Sequence, residues 1–418
     1  MQTFVSERAG ETCYVIEHPS GLPIYVCPKP GYRTSYAVFA TRYGSVDTVV
    51  NGREVPAGIA HYLEHKLFDS GEGSVFDRYA ATGASANAYT SFDHTAYLFT
   101  CSGPVEEPLS ILLDFVQSPY FTAETVEKER GIIGQEIRMC EDTPNRRVLF
   151  NLLRALYREH PVNIDIAGTV ESIADITPEL LYDCYRAFYH PRNMVLAVAG
   201  DVTPERVLAV VRAAIRDDGP RPQARAIPGE PDEAAQPFVE TEMAVSAPLF
   251  YLGYKDAVPQ GAYCTPERLV AADVLLDVLA GKASPLYARL MERELINESF
   301  GTEYFEGPGY AAWLFGGESR DPQAVCAAVR EEITRLKREG IDAGAFEAAK
   351  RSLYGRLIAG LNDVENCGDR VVRDAIYGRK PFELLDAAAA LDIQSVYDCL
   401  RDSLREDREA LSVVRPKD

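Results

Sequence analysis

His61-Tyr62-Leu63-Glu64-His65 is the stretch of this chain that decides its interpretation. If it is helical, residues four apart share a face, so both imidazole rings point the same way with the Glu64 carboxylate beside them. Imidazole nitrogens are common zinc ligands, and a carboxylate next to an open coordination position can take a proton from a zinc-activated water. The order H-x-x-E-H is the inverzincin pattern and predicts a metallopeptidase centre. The alternative is an amphipathic helix whose polar residues face solvent.

A third protein ligand is expected for a catalytic zinc ion, and residues 127–139 offer two candidates. Glu129 and Glu136 are seven residues apart, about two helical turns, so both carboxylates can point in the same direction. An apolar stripe of Ile132, Ile133 and Ile137 predicts that this helix packs inside the domain, where buried carboxylates need a cation or hydrogen-bond donors. Spacing alone leaves a solvated acidic helix face equally open.

These motifs resemble the M16 peptidase family, which includes pitrilysin, insulinase and the mitochondrial processing peptidase. In that family a glutamate ligand follows H-x-x-E-H by some seventy to eighty residues, and here 70 residues lie between His65 and Glu136. The resemblance implies that His61, His65 and Glu136 bind one zinc ion per chain and that Glu64 is the general base. Glu129 is implied to be a carboxylate that orients a ligand histidine, a common arrangement around zinc.

A second part of the resemblance is the segment Gly83–Thr90, which is similar to the family's G-x-x-x-N-A-x-T strand. In the family this strand lies beside the zinc and pairs with the substrate backbone, which implies substrate contacts for Asn87, Ala88 and Tyr89. An exposed strand edge binds an extended peptide with little side-chain preference. Without the resemblance, an ordinary edge strand explains the segment as well. The closest resemblance is to the short bacterial members known as the YmfH type. The other four histidines are interpreted as structural or surface residues.

The length of the chain and one proline-rich segment indicate two domains, because 418 residues are more than a single hydrophobic core usually contains. Five prolines between residues 220 and 237 indicate an extended linker at 219–240. The expected ranges are an N-terminal catalytic domain at 1–218 and a C-terminal domain at 241–418. Strand and helix patterns alternate in both halves, so we expect an α+β fold. The resemblance implies two homologous LuxS/MPP-like α+β domains that face each other like a clamshell.

Composition limits the functional classes. A net charge of −20 argues against binding to nucleic acid or to anionic membranes. We expect no membrane association, because no uninterrupted apolar segment is long enough to span a bilayer. Nine scattered cysteines, and an N-terminus without the pattern of a secretory signal, predict reduced thiols and a cytoplasmic location.

One departure from the family lies in the second half. Many relatives carry an arginine and a tyrosine there that hold the substrate, whereas Met291 and Glu298 occupy those positions here. Methionine cannot make the charge-assisted hydrogen bonds of arginine. One hypothesis is therefore a homodimer, or a heterodimer with a paralogue that lacks the zinc motif. The alternative is a self-sufficient peptidase in which Tyr304 or Tyr310 holds the substrate.

Three functions follow as hypotheses. The first is a zinc-dependent endopeptidase that hydrolyses short or unfolded peptides with Glu64 as general base. The second is a non-catalytic scaffold or assembly subunit, which some relatives are. The third is a maturation peptidase dedicated to one precursor peptide. Because a scaffold has no need to retain both histidines and both glutamates in register, the sequence favours an enzyme.

Overall fold

Two β-sheets organise the chain in this computed structural model, which describes residues 1–71, 73–217, 219 and 221–417. The chain divides into two compact units, and both are discontinuous in sequence. The first unit comprises Met1–Ile137, Asp165–Ala226 and Ile358–Phe382. The second unit comprises Arg138–Ile164, Ile227–Leu357 and Glu383–Asp418. Each unit combines one sheet with several helices, so the expected α+β class is confirmed.

The first unit is built on a seven-stranded sheet of order β1-β2-β3-β9-β4-β8-β7. A separate two-stranded hairpin pairs β5 with β6. The two central strands β4 and β9 are buried along their whole length, and β7 lies at one edge of the sheet. The strands are β1 Gln2–Ser6, β2 Glu11–Glu17, β3 Pro23–Pro28, β4 Ser35–Thr41, β5 Val49–Val50, β6 Arg53–Glu54, β7 Ser85–Thr90, β8 Thr95–Cys101 and β9 Met194–Gly200.

Eight α-helices occur in the part of the chain before the second sheet, counted over the described residues. They are α1 Ile59–Leu67, α2 Val75–Thr82, α3 Glu106–Val116, α4 Ala123–Glu141, α5 Pro144–Leu156, α6 Val170–Ala174, α7 Pro178–Phe188 and α8 Pro204–Ala214. Buried side chains of the first sheet and of α1–α4 and α6–α8 form what we term the large core. Strand β4 contributes buried side chains to this core from one face and to a second apolar cluster from the other face. It therefore carries apolar residues continuously rather than in alternation.

The second unit contains a five-stranded sheet of order β10-β14-β11-β13-β12. Its strands are β10 Phe238–Met243, β11 Leu249–Asp256, β12 Gly301–Gly307, β13 Tyr310–Glu318 and β14 Glu409–Pro416. The remaining helices of the chain are α9 Pro266–Ala280, α10 Pro285–Glu292, α11 Pro322–Glu339, α12 Ala343–Gly360, α13 Val364–Ile376, α14 Glu383–Ala390 and α15 Ile393–Asp402. No helix among the residues that the structure describes is long and apolar enough to cross a membrane.

Many helices begin at a short polar residue followed by proline. The side chain before the proline accepts a backbone N–H from the first helical turn, and proline lacks the N–H that would otherwise have no partner there. This signal marks the first residue of each helix directly in the sequence. The pairs with such a cap are Thr177-Pro178, Thr203-Pro204, Thr265-Pro266, Ser284-Pro285 and Asp321-Pro322.

Two helices belong to a different unit from the one that the ranges expected from the sequence assign to them. One helix of the first range lies in the second unit, and one helix of the second range lies in the first unit. Helix α5 precedes the expected linker but packs on β10, β11 and β14 of the second unit. Helix α13 follows the linker but packs on β3, β4 and β9 of the first unit, where it forms the small core with the sheet. The ranges 1–218 and 241–418 remain predictions for the family domains, but the compact units cut across them.

Among its described residues, the expected linker at 219–240 contains no helix. The first three residues of strand β10, which begins at Phe238, form its end. Within the first unit, the Arg225 guanidinium pairs with Asp47 through two nitrogens, each 2.8 Å from a carboxylate oxygen. Within the second unit, Glu230 accepts hydrogen bonds from the Lys255 ammonium and from three consecutive backbone N–H groups at residues 158–160. Asp218, Pro220 and Asp418, which the expected ranges include, lie outside the described residues.

Candidate metal centre

Helix α1 places both histidines of the H-x-x-E-H stretch on one face. Its opposite face is buried in the large core through Ile59, Tyr62 and Leu63. The Tyr62 hydroxyl also donates a hydrogen bond to the Val126 carbonyl oxygen on α4, which ties the two helices together. The His61 and His65 rings therefore lie side by side, with their centroids 4.7 Å apart.

Helix α4 brings the two predicted carboxylates to this face of α1. Ile133 and Ile137 are buried in the large core, as expected for the apolar stripe. Ile132 was expected in the same stripe, but 48% of it is exposed. The reason is helical geometry, because Ile132 lies about 100° around the helix from Ile133. Glu136 projects from the partly exposed side, and its side chain is 34% accessible.

Three possible ligand atoms converge between these helices. His61 Nε2 lies 3.6 Å from Glu136 Oε1, and His65 Nε2 lies 3.5 Å from Glu136 Oε2. One ligand atom from each of the three residues falls within 4.8 Å of the others. Two ligands at about 2.0–2.1 Å from a tetrahedral zinc ion are about 3.4 Å apart, so these separations fit donors that share one ion. The donor set of two imidazoles and one carboxylate also matches known catalytic zinc sites.

Glu129 hydrogen-bonds to the other nitrogen of the second histidine. Its Oε1 atom lies 2.9 Å from His65 Nδ1. This hydrogen bond to His65 lowers the pKa of Glu129 despite partial burial. Burial opposes protonation of His65, but the bond to Glu129 and the charges of Glu64, Glu129 and Glu136 outweigh it and raise the pKa of His65. Glu129 therefore fixes the ring so that Nε2, rather than Nδ1, faces Glu136.

The Glu64 carboxylate is buried next to the three converging residues. The hydroxyl of Thr90, the last residue of β7, donates a 2.8 Å hydrogen bond to Glu64 Oε2. Burial raises the pKa of Glu64, and the bond from Thr90 and the charge of His65 oppose that rise only in part. A buried carboxylate with a raised pKa is a stronger proton acceptor than an exposed one. Thr90 was part of the quoted strand motif but was not recognised from the sequence as a partner of Glu64.

Strand β7 contains the three residues expected to contact substrate, and within the described part of the chain it pairs with β8 alone. Its side chains alternate, with Ala88 packed against the large core and Tyr89 against the small core. The Tyr89 hydroxyl lies 3.4 Å from His94 Nε2, so this side chain has a structural role. Asn87 is exposed, and its Oδ1 atom accepts the Ala88 N–H at 2.9 Å. Substrate contact by the β7 backbone remains a prediction.

The four histidines outside the centre make structural hydrogen bonds, in line with their interpretation from sequence. His160 and His190 each accept the backbone N–H two residues later and cap short 3-10 turns. His18 and His94 hydrogen-bond to a neighbouring serine and aspartate, respectively.

Tyr304 and Tyr310, the proposed substitutes for the family's substrate-binding arginine and tyrosine, both contact residues of the second unit. The Tyr304 hydroxyl donates a 2.7 Å hydrogen bond to Asp256. Tyr310 is almost fully buried, and its ring packs against those of Tyr157 and His160. Both side chains are thus held inside the second unit by its own residues, so neither is presented as a substrate-binding group. Met291 is 37% exposed on α10.

Comparisons with known proteins identify the family that the chain resembles. Residues 51–170, which contain His61, His65 and Glu136, match the family Insulinase (Peptidase family M16). Residues 175–353 match the Peptidase M16 inactive domain. The zinc protease YmfH of Bacillus subtilis is 38% identical, and the alignment covers 98% of each chain.

Solved structures extend the comparison to the fold. An M16-like peptidase from Alicyclobacillus acidocaldarius has a TM-score of 0.93 at 37% identity, covering 99% of this chain and 100% of that chain. A protease from Helicobacter pylori has a TM-score of 0.84 at 19% identity, covering 97% of this chain and 99% of that chain, and it supports the fold alone.

Proposed function

Because this chain belongs to the M16 peptidase family, we propose that it is a zinc-dependent endopeptidase that cleaves short or unfolded peptides. The observation that carries the proposal is the convergence of His61, His65 and Glu136, with the Glu64 carboxylate buried beside them. These four residues supply a ligand set and a proton acceptor, the two components that hydrolysis by a metallopeptidase requires.

His61 Nε2, His65 Nε2 and the Glu136 carboxylate would hold one zinc ion per chain. When bound, zinc would lower the pKa of a water molecule and polarise the scissile carbonyl group. Glu129 would keep the His65 ring in the orientation and tautomer that direct Nε2 inward. The partial exposure of Glu136 and His65 leaves the ligand set open to solvent on one side, where a substrate can approach.

Glu64 would move the protons of the reaction. Its carboxylate would take a proton from the attacking water and later deliver it to the leaving amine of the peptide. Burial raises the pKa of Glu64 above its usual value, which favours its role as a proton acceptor and donor. The Thr90 hydroxyl binds one carboxylate oxygen and leaves the other to act on the water.

The edge position of β7 supports an extended peptide as substrate. A strand at the edge of a sheet offers backbone N–H and C=O groups to another extended chain. We therefore propose that the backbone of Asn87, Ala88 and Tyr89 pairs with the substrate on the segment that leads to Thr90. Such binding requires an unfolded stretch of the substrate and selects weakly among side chains.

We further propose that a partner chain contributes to substrate binding. Met291 and Glu298 stand where the resemblance places an arginine and a tyrosine, and Tyr304 and Tyr310 are engaged elsewhere. A paralogue without the zinc motif would supply the missing arginine and tyrosine. A second copy of this chain carries Met291 and Glu298 itself, so it would have to contribute other groups. The purified chain alone is then expected to cleave peptides slowly, and the paired form rapidly.

The cysteines support a reducing compartment. None of the nine forms a disulfide, and eight are buried. The Cys27 thiol donates a 3.4 Å hydrogen bond to Cys13 Sγ, and no disulfide joins the two. Because thiols this close form disulfides readily under oxidising conditions, we propose that the protein works in the cytoplasm.

The test combines metal content with turnover of an unstructured fluorogenic peptide, for the chain alone and with its co-purifying partner. The wild type is expected to hold one zinc per chain and to lose cleavage on chelation. His65→Ala should lose the metal, whereas Glu64→Gln should keep the metal and lose turnover. Glu124→Gln, an exposed position on α4, is the matched control and should change neither quantity.

Two outcomes would reject parts of the proposal. Stoichiometric zinc in His65→Ala would reject the ligand set, and unchanged turnover in Glu64→Gln would reject the base. Full zinc content without cleavage, both alone and with the partner, would favour a scaffold subunit. Cleavage restricted to one natural precursor would favour the dedicated maturation peptidase.

A further inference from the structure

The second unit repeats the strand arrangement of the first. Strands β3-β9-β4-β8-β7 and β10-β14-β11-β13-β12 follow the same order, and the first pair is parallel in both sets. The last strand of each set, β7 or β12, is an edge strand. By chain order, α9 and α12 of the second unit correspond to α1 and α4, the two helices of the metal centre.

Burial fixes the register between α4 and α12. In α4 the buried large side chains are Val126, Ile133 and Ile137. In α12 the buried large side chains have the same spacing, at Phe346, Leu353 and Leu357. This register places Arg356 at the position of Glu136 and Ala349 at the position of Glu129. The metal-binding carboxylate therefore has a cationic counterpart in the second unit.

The helix ends fix the register between α1 and α9. Matching their last residues, Leu67 and Ala280, places Val274 and Val278 at the positions of His61 and His65. The same register places Asp277 at the position of Glu64. The counterpart of the metal centre thus has two valines and an arginine in place of three zinc ligands, and a cation would be repelled there.

A cavity of about 510 Å³ lies at this counterpart position. Its lining comes from α9, α10, α12 and the start of β12. Ala349 has a much smaller side chain than the glutamate that it replaces, and this leaves room between the helices. The volume falls within the range of about 300–1,000 Å³ that is usual for small-molecule sites.

The charges of the cavity favour an anion. Arg356 Nη1 donates to Asp277 Oδ2 and to Ser352 Oγ, both at 2.9 Å. Over the described residues, Arg356 Nε and Nη2 make no hydrogen bond, and Lys282 on the rim forms no ion pair. The lining therefore carries two positive charges and one negative charge. An arginine with two adjacent nitrogens available can bind a carboxylate through both oxygens.

The rest of the lining is mainly apolar. It includes the side chains of Val278, Pro285, Tyr287, Phe300 and Ala348. Burial of an alkyl chain against such a surface is favourable by about 25 cal/mol per Å² of apolar area. A ligand that combines one carboxylate with an alkyl chain would match both the charge and the walls of this cavity.

We propose that this cavity, at the position where the second unit has lost the metal centre, binds a small amphiphilic monocarboxylate. Arg356 binds the carboxylate, Lys282 adds a second positive charge at the rim, and the alkyl chain lies against α9, α10 and α12. This site is independent of the peptidase proposal, because its residues all belong to the second unit and its ligand is not a peptide.

Isothermal titration calorimetry with the full-length chain tests the proposal, using dodecanoate below its micelle concentration. The expected result is saturable binding of one dodecanoate per chain. Dodecanol, which has the same chain without the charge, is expected to bind at least tenfold more weakly. Arg356→Gln should weaken dodecanoate binding at least tenfold, and Ala349→Phe should abolish it by filling the cavity.

Arg351→Gln is the matched control, because Arg351 is on the same helix and lies outside the cavity lining. It should bind dodecanoate like the wild type. Equal affinity in Arg356→Gln, equal affinity for dodecanol, or no saturable binding would each overturn the proposal. So would tighter binding of an apolar peptide than of dodecanoate in competition. Repeating the titration with Glu64→Gln separates the two proposals, since binding should persist when turnover is lost.

Discussion

Thr90 is the residue that links the edge strand to the chemistry of the site. Its hydroxyl donates to Glu64, so the carboxylate is held in place by a group at the end of β7. Thr90→Val removes the hydroxyl group and keeps the side-chain shape. A hydrogen bond to a charged group contributes about 1.5–3 kcal/mol. We therefore expect kcat to fall about 10- to 100-fold with little change in KM.

Thr90→Ser is the matched control for this prediction, because it restores the hydroxyl group and should recover most of kcat. Zinc content should be the same in both variants, measured by atomic absorption. A fall in KM and kcat together, or no recovery in the serine variant, would assign Thr90 to folding of the strand instead.

Glu129 gives a prediction about metal affinity. Loss of a carboxylate that orients a ligand histidine typically weakens metal binding about 10- to 100-fold. Glu129→Gln keeps a hydrogen-bonding oxygen but removes the charge next to His65. We expect zinc affinity, measured by competition with a chromophoric chelator, to fall within that range. Glu124→Gln should be unaffected, and an unchanged affinity in Glu129→Gln would contradict the assigned role.

At the scale of single residues, helical spacing predicts that His61 and His65 share one face of α1 and that Glu129 and Glu136 share one face of α4. The meeting of these two faces is implied by the resemblance to the M16 family and not by spacing, and the metal-binding roles of the residues stay a prediction. No local pattern predicts the Thr90 contact, because it depends on how α1 packs against β7, which spacing within either segment does not contain. The exposure of Ile132 was missed because an apolar residue does not by itself reveal which side of a helix it occupies.

Among the elements, α13 illustrates how closely a helix can approach a sheet. A Cβ atom on Gly368 would lie 2.6 Å from the buried ring of Tyr36 on β4. Gly368→Ala should therefore destabilise the protein by about 1–3 kcal/mol, since an overpacked core must shift. Gly355→Ala on α12 is the control, because a Cβ atom there meets nothing within 4 Å. It should stabilise the protein by about 0.5–1 kcal/mol through helix propensity. Urea denaturation measures both values.

The segment before β10 gives a prediction about pH. The Lys255 ammonium and three backbone N–H groups outweigh burial and lower the pKa of Glu230. A lowered pKa in the folded state means that the ionised form contributes stability above the unfolded pKa of about 4.3. That contribution is lost as the pH falls through the lower folded value.

Glu230→Gln should thus destabilise the protein by about 3 kcal/mol at pH 7, because it leaves the buried Lys255 without its counter-charge. The difference from wild type should shrink below about pH 4. Glu242→Gln, at an exposed position of β10, should show no effect at either pH. Denaturation curves at pH 7 and at about pH 3 provide the measurement, and a difference that is constant with pH would exclude the charge as its cause.

Individual elements were largely predictable. Sequence patterns predict helices at 104–118, 122–141, 144–158 and 203–216, and the structure has α3, α4, α5 and α8 there. Apolar runs predict strands at 36–40, 195–199, 249–253 and 411–414, where β4, β9, β11 and β14 lie. No pattern predicts helices α2, α6, α7 and α14. Helix α14 ends in four alanines, and alanine gives neither a polar nor a strongly apolar face to the pattern.

For the molecule as a whole, the exchange of α5 and α13 predicts that its continuous halves are not independent. A fragment of residues 1–218 lacks α13, so the sheet side chains of the small core would face solvent. A fragment of residues 241–418 similarly lacks α5. We expect each fragment to bind the dye ANS and to unfold without cooperativity, and the mixture to lose dye binding. Cooperative unfolding of the first fragment alone would contradict this prediction.

This exchange could not be derived from the sequence. The linker at 219–240 indicates where one half ends, and strand and helix patterns show that both halves contain a sheet. Helices α5 and α13 each have an apolar face, but that face fits either sheet by composition alone. Only contacts between residues far apart in the chain decide the pairing, such as the hydrogen bond from Tyr36 to Asp369.

The late position of α13 in the sequence also delays completion of the first unit during translation. A ribosome that has finished residue 226 must still add the chain up to residue 382 before the first unit has all its parts. At about 5–20 residues per second, that interval lasts roughly 10 to 30 s. Throughout it, the nascent sheet carries an uncovered apolar face, which makes this chain a natural client for chaperones that bind at the tunnel exit.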